Sequence, residues 1–121
     1  MPETRVILFA EDDGSCPLLL WLDDQVPKVQ DKCQVKIERL QEMGHELRRP
    51  EADYLRDDIY ELRVRFQSTN YRMLYFFHYY GVVVLSHGLT KEDKVPSREI
   101  DQAIRNKQLF EANPDKHTYE E

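Results

Sequence analysis

The stretch from Leu62 to Lys91 holds no aspartate or glutamate, yet it carries Arg63, Arg65, Arg72 and Lys91, with His78 and His87 among them. Poor β propensity explains why strands lack acidic residues, but it does not explain the cations. Arg63 and Arg65 stand two positions apart in an alternating run, so they project from one face of a strand, roughly 6.5–7 Å apart. Arg72 begins the next strand, and Lys91 and Lys94 follow the third. Cations meeting at one sheet rim can grip successive phosphates and offset charge growing on a phosphoryl oxygen. The competing reading is a solvated face on which the arginines pair with Asp57, Asp58 and Glu61.

His87 precedes Gly88, close in sequence to Lys91, and an imidazole near its free pKa serves as general acid or base. His78 is the weaker candidate of the two, since a lone histidine is more often a hydrogen-bonded packing residue. Tyr71, Tyr75, Tyr79 and Tyr80 can stack on bases, and Tyr75 is the substrate-binding candidate among them. Most such aromatics serve as sheet and core residues. The four glycines are too scattered for a phosphate-cradling loop. No Cys or His pair has metal-ligand spacing, and no serine sits in a nucleophile elbow. The expectation is chemistry without metal, cofactor or covalent intermediate.

The scaffold for these groups is small. A chain of 121 residues, 40% apolar and 33% charged, supports one domain with one modest core. A net charge of −6 argues against a general nucleic-acid coat and leaves a basic centre inside an acidic chain. No apolar run reaches membrane-spanning length, and the first residues are polar rather than signal-like. Cys16 and Cys33 make neither a disulfide framework nor a zinc site. A reduced, cytoplasmic location is expected.

Arg5–Ala10 reads as a first strand, stopped by Glu11-Asp12-Asp13-Gly14. Ser15 and Pro17 open a short apolar helix over 18–22. Val26, Val29, Cys33, Ile37, Leu40 and Met43 step by three and four, predicting a helix that Gly44 ends. Residues 45–58, with Pro50 and many charges, read as a loop. Ile59–Phe66 alternates strictly, with Tyr60, Leu62, Val64 and Phe66 on one face and Glu61, Arg63 and Arg65 on the other. Residues 67–70 make a hairpin connection, and strands over 71–80 and 82–89 complete an antiparallel meander. Ser97 is placed to cap a last helix bearing Ile100, Ala103, Ile104 and Phe110. The expected class is α+β in the order β-α-α-β-β-β-α, an antiparallel sheet with helices packed on one face. Residues 1–110 form the domain, and 111–121 a frayed tail.

Three segments also carry a likeness. Tyr60-Glu61-Leu62-Arg63 runs through Tyr71-Arg72-Met73-Leu74-Tyr75-Phe76. Leu85-Ser86-His87-Gly88-Leu89-Thr90-Lys91 closes a strand, and Glu99-Ile100-Asp101-Gln102-Ala103 lies in the last helix. In order and spacing, over about residues 5–110, they resemble the RelE/ParE toxin superfamily, with HigB-like, phage-derived members the nearest likeness. The resemblance implies a RelE-like fold and the toxin of a type II toxin–antitoxin module. It implies metal-independent cleavage of messenger RNA on translating ribosomes, the ribose 2′-OH attacking the adjacent phosphate. It implies neutralisation by a helix-turn-helix antitoxin, through which alone the complex meets operator DNA. Carried onto this sequence, Arg72 and Lys91 stabilise the phosphoryl oxygens. Arg63, Arg65 and Lys94 hold the RNA backbone, one of the two arginines aiding proton transfer, and His87 is the candidate acid or base. A non-catalytic antitoxin binder and a ParE-like gyrase inhibitor remain alternatives on the same fold.

Overall fold

The computed structural model describes residues 4–79, 81–90 and 93–120. Its elements are β1 (Arg5–Leu8), α1 (Pro17–Asp23), α2 (Pro27–Met43), β2 (Ala52–Arg56), β3 (Ile59–Phe66), β4 (Thr69–His78), β5 (Val82–Thr90) and α3 (Ser97–Ala112). The sheet order is β1-β5-β4-β3-β2. Only β1 runs parallel to its neighbour, and the other three pairings are antiparallel. The class is α+β, consistent with a RelE-like fold.

Two features of the sheet depart from the expected order. Part of the 45–58 loop is a strand: β2 pairs with β3 around a two-residue turn at Asp57 and Asp58, both at positive φ. Paired left-handed residues match the twist of a tight hairpin, and aspartate tolerates that conformation. The β3–β4 turn is tighter than expected, with Gln67 and Ser68 at positive φ and Thr69 already paired with Phe66.

The helices do not share one face. Leu62, Val64, Met73, Tyr75, Val83 and Leu85 pack against α1 and α2 through Leu18, Val29, Cys33 and Leu40. The alternate residues Ile59, Leu74, Phe76 and Val84 pack against α3 through Ile100, Ala103 and Phe110. The central strands carry bulky apolar residues on both faces because both are buried. Gly88 is a contact point of the first layer: any Cβ there would enter the indole ring of Trp21 on α1. At the end of α2, Gly44 takes φ 54 and donates its N–H to the Leu40 carbonyl, as its expected capping role requires.

The tail is docked rather than frayed. Ala10 N–H bonds the His117 carbonyl and Tyr119 N–H bonds the Leu8 carbonyl, both at 2.8 Å. Thr118 bridges to Phe9. The His117 ring is buried, stacks on Phe9 with centroids 5.3 Å apart, and sits with Nδ1 2.8 Å from the Ala10 carbonyl. An open strand edge at β1 is covered by the chain's own C-terminal residues, which satisfies its backbone groups.

Candidate functional site

The cationic rim resolves into a cleft of 480 Å³ and a separate groove. The cleft is lined by Glu61 and Arg63 of β3, Arg72 of β4, Asp53 of β2, and Asp93 and Lys94 of the loop before α3. Arg63 and Arg72 face one another directly across the β3–β4 ladder, and Asp53 stands opposite Glu61. Glu61 shares the Arg63 face because it lies two residues before it.

Glu61 is 4% exposed, so its charge must be met locally. Arg72 Nε lies 2.9 Å from Glu61 Oε1, and Arg63 reaches Glu61 Oε2 and Asp53 Oδ2 at 3.3 Å each. Arg49 holds Asp53 at 3.0 Å. The hydrogen bond from Arg49, with lesser help from the charge on Arg63, keeps the Asp53 carboxyl below its usual range. Arg72 also donates to the backbone carbonyl of Asp93, which ties the loop carrying Lys94 to β4. Lys94 itself is exposed at the mouth.

The pairing leaves polar capacity over. The Nε groups of Arg63 and Arg72 and Oε1 of Glu61 are buried without an aligned hydrogen bond. The Arg72–Glu61 contact is close in distance, but its N–H is not directed at the oxygen. Buried donors in that condition cost about 1–3 kcal/mol each and favour an added acceptor.

Arg65, expected beside Arg63, is exposed and lines a different groove with Lys28, Lys32 and Lys36 of α2. Arg65 keeps the alternation of β3, but β2 flanks β3 only as far as Leu62, so Arg65 stands beyond the cleft wall. Lys91 lies outside the described residues, as does Tyr80.

His87 is not in the cleft lining. Leu74 pairs with His87 and Tyr75 with Leu85, so Ser86 is an extra residue in β5. This bulge sends Ser86 and His87 to the same helix. Asn106 Nδ2 donates to Ser86 Oγ at 2.8 Å, Ser86 Oγ lies 2.8 Å from His87 Nδ1, and His87 Nε2 lies 3.0 Å from Glu99 Oε1. The circuit is satisfied with the proton on Nε2 and Ser86 donating to Nδ1. Burial lowers the His87 pKa despite Glu99. A neutral, enclosed imidazole that joins β5 to α3 is withdrawn from direct acid–base contact with a substrate.

Tyr75 is likewise withdrawn. It is 1% exposed, lies on the α2 face, stacks on Tyr60 at 5.3 Å, and has its pKa raised by burial. Its strand parity places it opposite to the arginines, which the alternation of β4 already implied. His78 packs edge-on against Phe110 at 5.0 Å. The thiols of Cys16 and Cys33 are buried and their pKa values raised by desolvation, the latter to about 11, which leaves them unreactive.

The comparisons bear on this arrangement. Residues 20–108 match the family described as "Phage derived protein Gp49-like (DUF891)", a span that runs from α1 into α3 and contains the whole cleft. The chain belongs to the Gp49-like family. That family is toxin-like and related to modules of the RelE/ParE type. Comparison with curated proteins gives no match. No helix among the described residues is long and apolar enough to cross a membrane.

Sequence reasoning passed over two groups. Glu61 entered only as a neutralising neighbour, although it is the one acidic side chain on the polar face of β3. Lys28, Lys32 and Lys36 lie off the apolar stripe of α2, and the signal that could have found them is their four-residue spacing, which sets them in a row on one side of a helix.

Proposed function

We propose that the protein is the toxin of a HigB-like toxin–antitoxin module and cleaves messenger RNA on translating ribosomes without a metal. The observation that carries this reading is the convergence of Arg63 and Arg72 on Glu61 in a cleft that Lys94 also lines, with unused Nε–H groups on both arginines. Glu61 takes the proton of a ribose 2′-OH, whose oxygen bonds to the adjacent phosphorus. The bond from phosphorus to the 5′-oxygen breaks, and that oxygen leaves with a proton from water. Arg72 and Arg63 stabilise the non-bridging oxygens as their charge grows, and Lys94 meets the flanking phosphate. Glu61 replaces His87 as the acid–base group, because Glu61 lines the cleft beside both arginines whereas His87 lies outside that lining, bonded to Glu99 of α3. Partners in this reading are a helix-turn-helix antitoxin, the ribosome and its message, with operator DNA met only through the antitoxin.

The test is induced expression with separate labelling of new protein and new DNA, followed by mapping of ribosome-bound message ends. Early loss of translation with new message ends, absent in Arg72→Ala, is the expected result. Full activity in Arg72→Ala overturns the mechanism, and early loss of replication indicates gyrase as the target.

One observation favours a second reading, a degenerate toxin that only binds antitoxin. Arg63 and Arg72 are already paired with carboxylates, and Arg56 pairs with Asp57 and Asp101, so little net positive charge is left in the cleft. Growth unaffected by the unneutralised protein supports that reading.

A further inference from the structure

The groove between α2 and β3 is distinct from the cleft and gathers cations that are mostly without an ion pair to a described residue. It has a volume of 410 Å³ and is lined by Lys28, Lys32, Lys36, Val35, Asp31 and, on β3, Val64 and Arg65. Among the described residues, Lys28, Lys32 and Arg65 have no ion-pair partner, while Lys36 shares Glu51 with Arg39 at 3.1 and 3.0 Å. Val35 is 55% exposed, an apolar side chain set amid the lysines.

The backbone beside this groove is also open. The β2–β3 ladder stops at Ala52 opposite Leu62, with one further bond from Arg63 N–H to the Glu51 carbonyl. Antiparallel geometry turns the N–H and C=O of every second residue the same way. The orientation that sends Arg63 N–H to Glu51 therefore sends the Arg65 N–H and C=O outward, where no described strand meets them. An unpaired strand edge is a template for another extended chain.

We propose that this groove docks an extended, acidic peptide segment of a partner protein, which adds a short strand to β3 at Arg65 and lays carboxylates against Lys28, Lys32 and Arg65. The spacings agree. Lysines four apart on a helix are separated by about 6 Å along its axis. Alternate residues of an extended chain are separated by roughly 6.6–6.8 Å. One row of acidic side chains then meets the lysines, with an apolar residue of the segment against Val35. Single-stranded RNA fits less well, because the lining has no aromatic ring for a base to stack on, and a phosphate chain has no amide to pair with β3. The proposal does not depend on the cleavage reaction.

The test uses the full chain, labelled with ¹⁵N, and an alternating Glu-Val octapeptide as probe. Binding is expected to shift the Arg65 amide resonance and slow its hydrogen exchange about tenfold or more. The Lys28→Glu/Lys32→Glu variant is expected to weaken binding about tenfold. Methylating alternate amides of the probe removes strand pairing without altering the protein, and should abolish binding for one of the two registers. Arg65→Pro, which removes the outward N–H together with the guanidinium, should abolish it, whereas Arg65→Ala, which removes the guanidinium alone, should only weaken it, both with the thermal unfolding midpoint retained. Equal binding by both N-methylated registers overturns the proposal. So does tighter binding of an oligouridylate of equal length, or an Arg65 amide that is unmoved by the peptide.

Discussion

The cleft and the groove hold similar numbers of cations but hold them differently. In the cleft, Arg63 and Arg72 are set by Glu61, Asp53 and the Asp93 carbonyl, with the Arg72 side chain 11% exposed. In the groove, Lys28, Lys32 and Arg65 project freely from α2 and from the end of β3. Fixed guanidinium donors suit a reaction in which charge must be met at one atom without reorganisation. Flexible ammonium groups suit a partner recognised by summed charge over several residues. The difference follows from where β2 ends: it supplies Asp53 to the cleft and leaves the next turn of β3 bare.

Removing a held cation should therefore cost stability, and removing a free one should not. Arg72→Ala leaves Glu61 buried and without its nearest charge, which is expected to lower unfolding free energy by about 3–5 kcal/mol in urea titrations. In the proposed reaction the same variant should slow message cleavage by roughly 10²–10³-fold, measured at a temperature where it remains folded. Lys28→Ala should leave the urea midpoint unchanged. Equal midpoints for the two variants would break the distinction.

Lys94 lies between these extremes, anchored through its loop but exposed as a side chain. Lys94→Ala is expected to slow cleavage about tenfold by loss of one phosphate contact, with no change in the urea midpoint.

Acid should expose the scaffold in two stages. The His87 pKa is below its ordinary 6.5 when folded, so the unfolded chain takes that proton first. Its contribution is complete above pH 6.5 and declines as pH falls below it. Glu51 is lowered from 4.5 to about 2, first by its hydrogen bonds from Arg39 and Lys36. Its contribution is present above pH 4.5 and is lost between 4.5 and about 2. Circular dichroism across urea at stepped pH should show both declines, the upper one missing in His87→Gln and the lower one reduced in Glu51→Gln to the part that Asp53 supplies.

Salt gives the smallest contrast. Binding of the acidic peptide to the exposed groove should weaken steadily from about 0.05 to 0.5 M salt, while the urea midpoint, which includes the buried Arg72–Glu61 pair, should change little.

Much of this was legible from residue order. The alternation of Ile59–Phe66 and the three-four stepping of α2 identified their elements, because each buries an apolar stripe of fixed period. Gly44 signalled its helix end. The resemblance placed the chain near the RelE/ParE superfamily, and the matched family is related to that type. What escaped was set by long-range geometry. β2 hides behind charges that serve the cleft, and its turn at Asp57-Asp58 lacks the usual glycine. The β5 bulge at Ser86 turned His87 toward α3, and a single extra residue leaves no periodic mark. The tail looked polar, yet His117 finds Phe9 more than one hundred residues earlier. Arg65 was separated from Arg63 by the end of a strand that the sequence pattern did not reveal.

The most direct measurement is the end chemistry of message recovered from translating ribosomes exposed to wild type and to Glu61→Gln. Wild type is predicted to leave upstream fragments ending in a 2′,3′-cyclic phosphate, and Glu61→Gln to make them about 10²–10⁴-fold more slowly. Fragments formed at the same rate by Glu61→Gln, or no fragments from wild type, would contradict the assignment of the cleft as the site of phosphodiester cleavage.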